Sequence, residues 1–233
     1  MMSLLLFGFL IGMRHALEAD HLAAVAAIST KDHSLRASIK HGVIWGVGHT
    51  STLFLFGAIV IFMNTGISQQ VADRLELVVG IMLLVLGFDV LRRIVKERIH
   101  YHSHRHSDSE MHCHAHSHRG EKEHSQTSHQ HGHEKFPYKT LFIGFMHGLA
   151  GSAALILLTL DTIKSVSLSM IYILLFGIGS IVGMAVLSIV ISIPLRASSK
   201  LTWLHNGLQF SIGLLTVGLG TSIIYQSTIW SIT

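Results

Sequence analysis

Six long apolar runs, separated by short polar connections, organise this chain from end to end. They extend from Ser3 to Ile28, Gly42 to Met63, Leu75 to Val95, Thr140 to Leu160, Leu168 to Pro194 and Trp203 to Tyr225. An α-helix rises about 1.5 Å per residue, so about 20 apolar residues cross the hydrocarbon core of a bilayer. The pattern predicts an all-α integral membrane protein with six transmembrane helices. The first run has no basic segment ahead of it and resumes after Arg14 without an obvious cleavage site. It reads as a retained span, not a cleaved signal.

The connections carry the orientation. Lys31, Arg36 and Lys40 lie in the first, and Arg74 alone in the second. The third holds Arg92, Arg93, Lys96, Arg98 and further basic residues as far as Lys139. Lys164 alone lies in the fourth, and Arg196 and Lys200 in the fifth. Basic and nearly uncharged connections therefore alternate. By the positive-inside rule, connections one, three and five face the cytoplasm and both termini face outward. The expected setting is a bacterial plasma (inner) membrane, crossed several times.

The two halves resemble each other. Ile11 to Leu17 aligns with Ile143 to Leu149, which brings His15 level with His147. Gly46 to His49 aligns with Gly177 to Ser180, and Gly80 and Gly87 with Gly213 and Gly220. The order is the same in all three matches, and the offsets agree to within a residue or two. Three spans per half is an odd number, so a duplicated half must lie inverted. Inverted repeats recur in secondary transporters, with the substrate near the midplane where the repeats meet. The expected organisation is a first three-helix repeat over residues 1–95, a cytoplasmic His-rich loop over 96–138, and a second three-helix repeat over 139–233. His15 and His147 should then approach one another at the midplane.

Composition supports the membrane class: 49% of residues are hydrophobic and only 13% charged, where a soluble domain carries about a quarter charged. The basic residues sit at helix ends and in one loop, so they read as topology and no nucleic-acid partner is expected. The lone Cys113 allows neither a disulfide framework nor a dithiol relay.

Candidate chemistry lies where charge is least expected. The first span contains Arg14, His15, Glu18, Asp20 and His21; the second adds His49, with His41 at its mouth; the fourth adds His147. Ionisable groups at bilayer depth cost several kcal/mol each unless paired, so they mark pathways and sites. Imidazole with carboxylate suits nickel, cobalt, zinc and copper, whereas magnesium and calcium prefer oxygen alone. His15, Asp20, His21, His49 and His147 are the candidate metal residues. At about 100° per residue, Arg14, Glu18 and His21 share a face while Asp20 points nearly the opposite way. Either the helix is broken between Gly12 and Asp20, which is the favoured reading, or Asp20 orients a ligand histidine through a hydrogen bond. Structural roles are expected elsewhere: Glu18 pairing with Arg14, Asp89 as a solvated helix-end charge, His205 at the interface, and the glycine pairs as packing surfaces.

The stretch His15-Ala16-Leu17-Glu18-Ala19-Asp20-His21 resembles the H-x4-D-H signature of the nickel/cobalt transporter family. Gly46 to Ser51 resembles that family's second motif, and Gly144 to Ala154 is similar to its short branch, called urease accessory protein H. The resemblance covers both halves. It implies that His15, Asp20 and His21 carry metal selectivity, with His49 contributing. Larger members have eight spans, with one helix before the signature helix that this sequence lacks, and the second-half motif here lacks their acidic residues. Alternating-access transport of Ni2+ or Co2+ is the expected function, with direction open and uptake favoured by the accessory-protein resemblance.

Between the halves, His102, His104, His106, His112, Cys113, His114, His116 and His118 begin a low-complexity tract that runs on to His133. It cannot bury a core, and clustered imidazoles bind borderline metals, so a structureless metal reservoir is expected. Two other classes stay open: a zinc/cobalt cation-diffusion-type exporter, and a membrane metal sensor or accessory protein that does not transport. An enzyme is not expected, since the H-E-x-x-H protease motif is absent. No cofactor is expected to be permanently bound; the metal ion is cargo. The other expected partners are the bilayer and, by resemblance, metal-delivery or urease/hydrogenase maturation proteins.

Overall fold

A computed structural model describes residues 2–32, 34–63, 68–96, 104–105, 111–112, 137–149 and 165–230. Among these residues there are seven α-helices. They are α1 (Met2–His15), α2 (Ala19–Ser29), α3 (Leu35–Met63), α4 (Gln69–Lys96), α5 (138–149), α6 (Val166–Ala197) and α7 (Thr202–Trp230). A 3-10 turn at Ser198–Lys200 links the last two. By length and composition α3, α6 and α7 can cross a membrane, and α1 and α2 supply shorter apolar helices. α4 is nearly as long but carries more charge. Leu6, Phe7, Leu55, Phe62, Val85 and Leu215 face outward, each more than half exposed, while His21, His49 and His147 are fully buried. Apolar outside and polar inside suits a body surrounded by lipid.

The first expected span is two helices. α1 ends at His15, and the chain turns through Ala16, Leu17 and Glu18 before α2 begins at Ala19. Glu18 has extended backbone torsions, φ −65° and ψ 150°, which stop the helical ladder. The turn is held by Leu17 N–H to Arg14 O at 2.9 Å and Glu18 N–H to His15 O at 3.0 Å. This break removes the angular conflict between His15 and Asp20, because each now belongs to its own helix.

Glycines set how closely the helices approach. A Cβ on Gly12 would strike the Phe176 carbonyl of α6, and one on Gly179 would strike the Phe9 carbonyl of α1. The same relation recurs between α3 and α5: Gly144 against the Trp45 carbonyl, Gly48 against the Leu141 carbonyl. Between α4 and α7, Gly87 meets the Gly213 carbonyl and Gly220 the Gly80 carbonyl, each at under 3 Å from the added atom. Backbones this close need residues without side chains, as small-residue interfaces in membranes do. The glycine pairs of the sequence are packing surfaces, as expected.

The expected span Thr140–Leu160 is helical up to residue 149, and its remainder lies outside the described residues. In the His-rich segment, His104–Arg105 (β1) and Met111–His112 (β2) pair antiparallel with His104 opposite His112, a short departure from a structureless loop. His102, His106, Cys113, His114, His116 and His118 lie outside the described residues.

Candidate metal centre

The break between α1 and α2 aims two helix ends at one place. His15 is in the last turn of α1, where the unsatisfied carbonyls of a helix end favour positive charge. Asp20 is in the first turn of α2, where exposed N–H groups favour a carboxylate. Asp20 Oδ1 also accepts the backbone N–H of His21 at 2.9 Å.

Four imidazoles meet there. His21 sits at the middle: its ring centroid is 4.4 Å from His15, 4.2 Å from His147 and 5.0 Å from His49. His15 and His147 therefore join one cluster, with His21 between them. His15 Nε2 and His49 Nε2 are 3.3 Å apart. His49 comes from α3, and His147 from α5, whose Gly148 rests on the carbonyl of His49. All five candidate residues are brought together.

Two carboxylates orient the rings. Asp20 Oδ1 lies 3.0 Å from His21 Nδ1 and Asp20 Oδ2 lies 2.9 Å from His147 Nε2. A carboxylate accepts, so both of those nitrogens carry the proton and the opposite nitrogens are bare. The opposite nitrogens, His21 Nε2 and His147 Nδ1, are buried and have no hydrogen-bond partner among the described residues. Glu18 Oε1 lies 2.9 Å from His15 Nδ1, which leaves His15 Nε2 bare by the same logic. Glu18 thus pairs with His15, not with Arg14 as its spacing suggested; the turn swings its carboxylate toward the end of α1.

Donor atoms group in two overlapping sets, His15–His21–His49 and Asp20–His21–His147, each with its candidate ligand atoms within 4.8 Å of one another. His21 belongs to both. Three imidazole nitrogens, or two with a carboxylate oxygen, can bind a borderline divalent ion. Trp45 and Phe176 wall the cluster: Trp45 packs 5.4 Å from His21 and 5.3 Å from His147, and Phe176 packs 5.2 Å from His15. Neither aromatic residue was singled out from sequence, although Trp45 stands one helical turn before His49. Ser180, level with His49 in the repeat alignment, is fully buried with a partnerless hydroxyl among the described residues.

The other candidates lie apart. His205 Nδ1 is 3.1 Å from the Leu195 carbonyl and its Nε2 is 2.9 Å from Gln209, tying α6 to α7. Asp89 is not simply solvated: Lys31 Nζ reaches it at 2.6 Å.

A urease accessory protein, UreH, of Bacillus sp. (strain TB-90) is 37% identical over 97% of this chain and 92% of its own length. Chloroplast protein FOR GROWTH AND FERTILITY 1 of Arabidopsis thaliana is 26% identical over 93% of the chain and 57% of its own length. A Methanocaldococcus jannaschii protein provisionally named a nickel/cobalt efflux system is 30% identical over 40% of the chain and 44% of its own length. No solved structure gives a significant match. The model of one family, described as high-affinity nickel-transport protein (NicO), matches residues 1–231. Both halves and the segment between them fall within that match, and the chain belongs to the NicO family of nickel-transport proteins.

Proposed function

We propose that this chain carries Ni2+ or Co2+ through a lipid bilayer by alternating access, holding the ion at the His15, Asp20, His21, His49 and His147 cluster. One observation carries the reading: ligand atoms of His15, His21 and His49 lie within 4.8 Å of one another in a buried interior, where His21 Nε2, His49 Nδ1 and His147 Nδ1 have no hydrogen-bond partner among the described residues. Unpaired buried polar atoms are costly and call for a partner; a borderline cation supplies one to several of them at once.

Asp20 and Glu18 hold the imidazoles in the tautomers that face the ion. The Asp20 charge offsets the positive end of α2, which would otherwise repel a cation. His21, common to both donor sets, passes the ion from one set to the other as helices shift. The repeated glycine contacts, α1 with α6 and α3 with α5, support two inverted three-helix repeats that rock about this centre. Six spans in a bacterial plasma membrane, termini outward, follow from the alternating basic connections. The His-rich segment then lies in the cytoplasm as a reservoir, and no cofactor is retained.

Similarity to a urease accessory protein favours inward movement, with nickel handed on to maturation proteins. Radioactive nickel accumulation in cells expressing wild type, His21→Ala or Asp20→Ala tests this. Accumulation should rise with wild type and not with either variant. Equal accumulation in all three would defeat the assignment, and lowered accumulation with wild type alone would reverse the direction.

A further inference from the structure

Histidine recurs on α3 outside the central cluster. His41, Trp45 and His49 stand four residues apart, one turn each, on one face of the helix. At 1.5 Å per residue His41 lies about 12 Å along the axis from His49. Trp45 touches the central rings from this side. A narrow crevice is lined by Val25, Ile28, Ser29, His41, Gly42 and Trp45. Both His41 and Trp45, the wall of the central cluster, line it.

At the far end is Asp32. Its side chain is 3% exposed, and Oδ1 lies 3.0 Å from His41 Nδ1, close enough for an ion pair although the angle is poor for a hydrogen bond. Asp32 Oδ2 is buried and partnerless among the described residues. The connection bearing it is fastened to α4 by Lys31 with Asp89, at 2.6 Å, and by Arg93 Nη2 donating to Thr30 Oγ1, at 2.9 Å. These contacts direct Asp32 toward α3 and occupy its neighbour Lys31 elsewhere. Among the described residues only an imidazole faces this buried carboxylate, which therefore lacks the compensating charge that burial demands.

We infer that Asp32 and His41 form a second cation-binding station, through which the divalent metal passes on its way between one face of the protein and the central cluster. The inference rests on the transport reading above and adds to it a route and two residues. One carboxylate and one imidazole suit a borderline metal ion. Two protein donors, with water completing the shell, hold it weakly enough to let it go. The position level with His41 in the repeat is Tyr172, whose ring packs against Gly8. Among the described residues the station therefore belongs to the first half alone, and it distinguishes one mouth from the other. The crevice lies along this route, with Trp45 as its inner wall.

The test measures nickel flux in proteoliposomes and equilibrium nickel binding on the same purified full-length protein. Asp32→Asn and His41→Gln should each lower maximal flux about tenfold or more while tight binding at the central cluster persists. Asp32→Glu should keep flux within about threefold of wild type, since it retains the charge. His41→Cys replaces imidazole with a softer thiolate and should shift the flux ratio from nickel toward cadmium. Wild-type flux in Asp32→Asn and His41→Gln overturns the station. So does an unchanged metal ratio in His41→Cys, or a loss of flux that comes with loss of tight binding, which marks a purely structural pair. His21→Ala at wild-type flux would instead bring down the central-cluster reading.

Discussion

Asp20→Asn changes one oxygen to an NH2 group and almost no volume, yet it should weaken nickel binding substantially. Asp20 accepts from His21 Nδ1 at 3.0 Å and from His147 Nε2 at 2.9 Å, one ring on each oxygen. Asparagine offers one acceptor and one donor, so one of the two rings must meet the NH2 group. That ring has to turn its bare nitrogen toward the amide, and its N–H then points into the cluster where a ligand nitrogen stood. Either His21 Nε2 or His147 Nδ1 is lost as a donor to metal. Removing a partner that orients a metal-ligating histidine typically lowers affinity 10- to 100-fold, roughly 1.4–2.8 kcal/mol. The lost negative charge adds to this, because the Asp20 side chain is only 23% exposed. Equilibrium nickel binding to purified wild-type and variant protein measures the effect; the His-rich segment is common to both and cancels in the difference. Asp20→Glu keeps both oxygens one methylene further out and should fall between the two. A variant Asp20→Asn that binds nickel as tightly as wild type would refute the reasoning from tautomers.

Other substitutions separate the parts of the account. His21→Ala removes the residue common to both donor sets and should abolish nickel flux, whereas His205→Ala, at the α6–α7 contact, should leave tight binding within about threefold of wild type in a parallel titration. Glu18→Gln should cost only a few-fold in affinity, since Glu18 is 58% exposed and water screens its contact with His15. Gly148→Ala drives a Cβ into the His49 carbonyl and should lower stability by about 1–3 kcal/mol, read as a fall in melting temperature. Gly207→Ala, which meets nothing within 4 Å, is its control and should leave the melting temperature unchanged or higher. Replacing residues 113–131 with a Gly/Ser linker should raise the nickel concentration needed for half-maximal flux and leave the maximal flux unaltered.

The sequence made the cluster legible because imidazoles and carboxylates are rare in apolar helices, and His15, Asp20, His21, His49 and His147 stood out on that ground alone. The helix break was legible too, from the angular conflict between His15 and Asp20. Glu18 was misassigned because helical spacing offers it Arg14, and only the turn at Ala16–Glu18 brings it to His15. The central position of His21 could not be read, since it depends on how closely α3 and α5 approach through Gly144 and Gly148. Trp45 was not singled out; its place as the cluster's wall appears only once His147 arrives from the other half. Asp32 was not singled out in the sequence, and its burial follows from the links between Lys31, Thr30 and α4.

Diffraction from crystals of the nickel-loaded protein, collected at the nickel absorption edge, tests the central claim most directly because it locates the metal itself. The account predicts an anomalous peak enclosed by His15, His21 and His49 within coordination distance of His21 Nε2, or one enclosed by Asp20, His21 and His147. Peaks confined to the His-rich segment, with nothing among these five side chains, would contradict it.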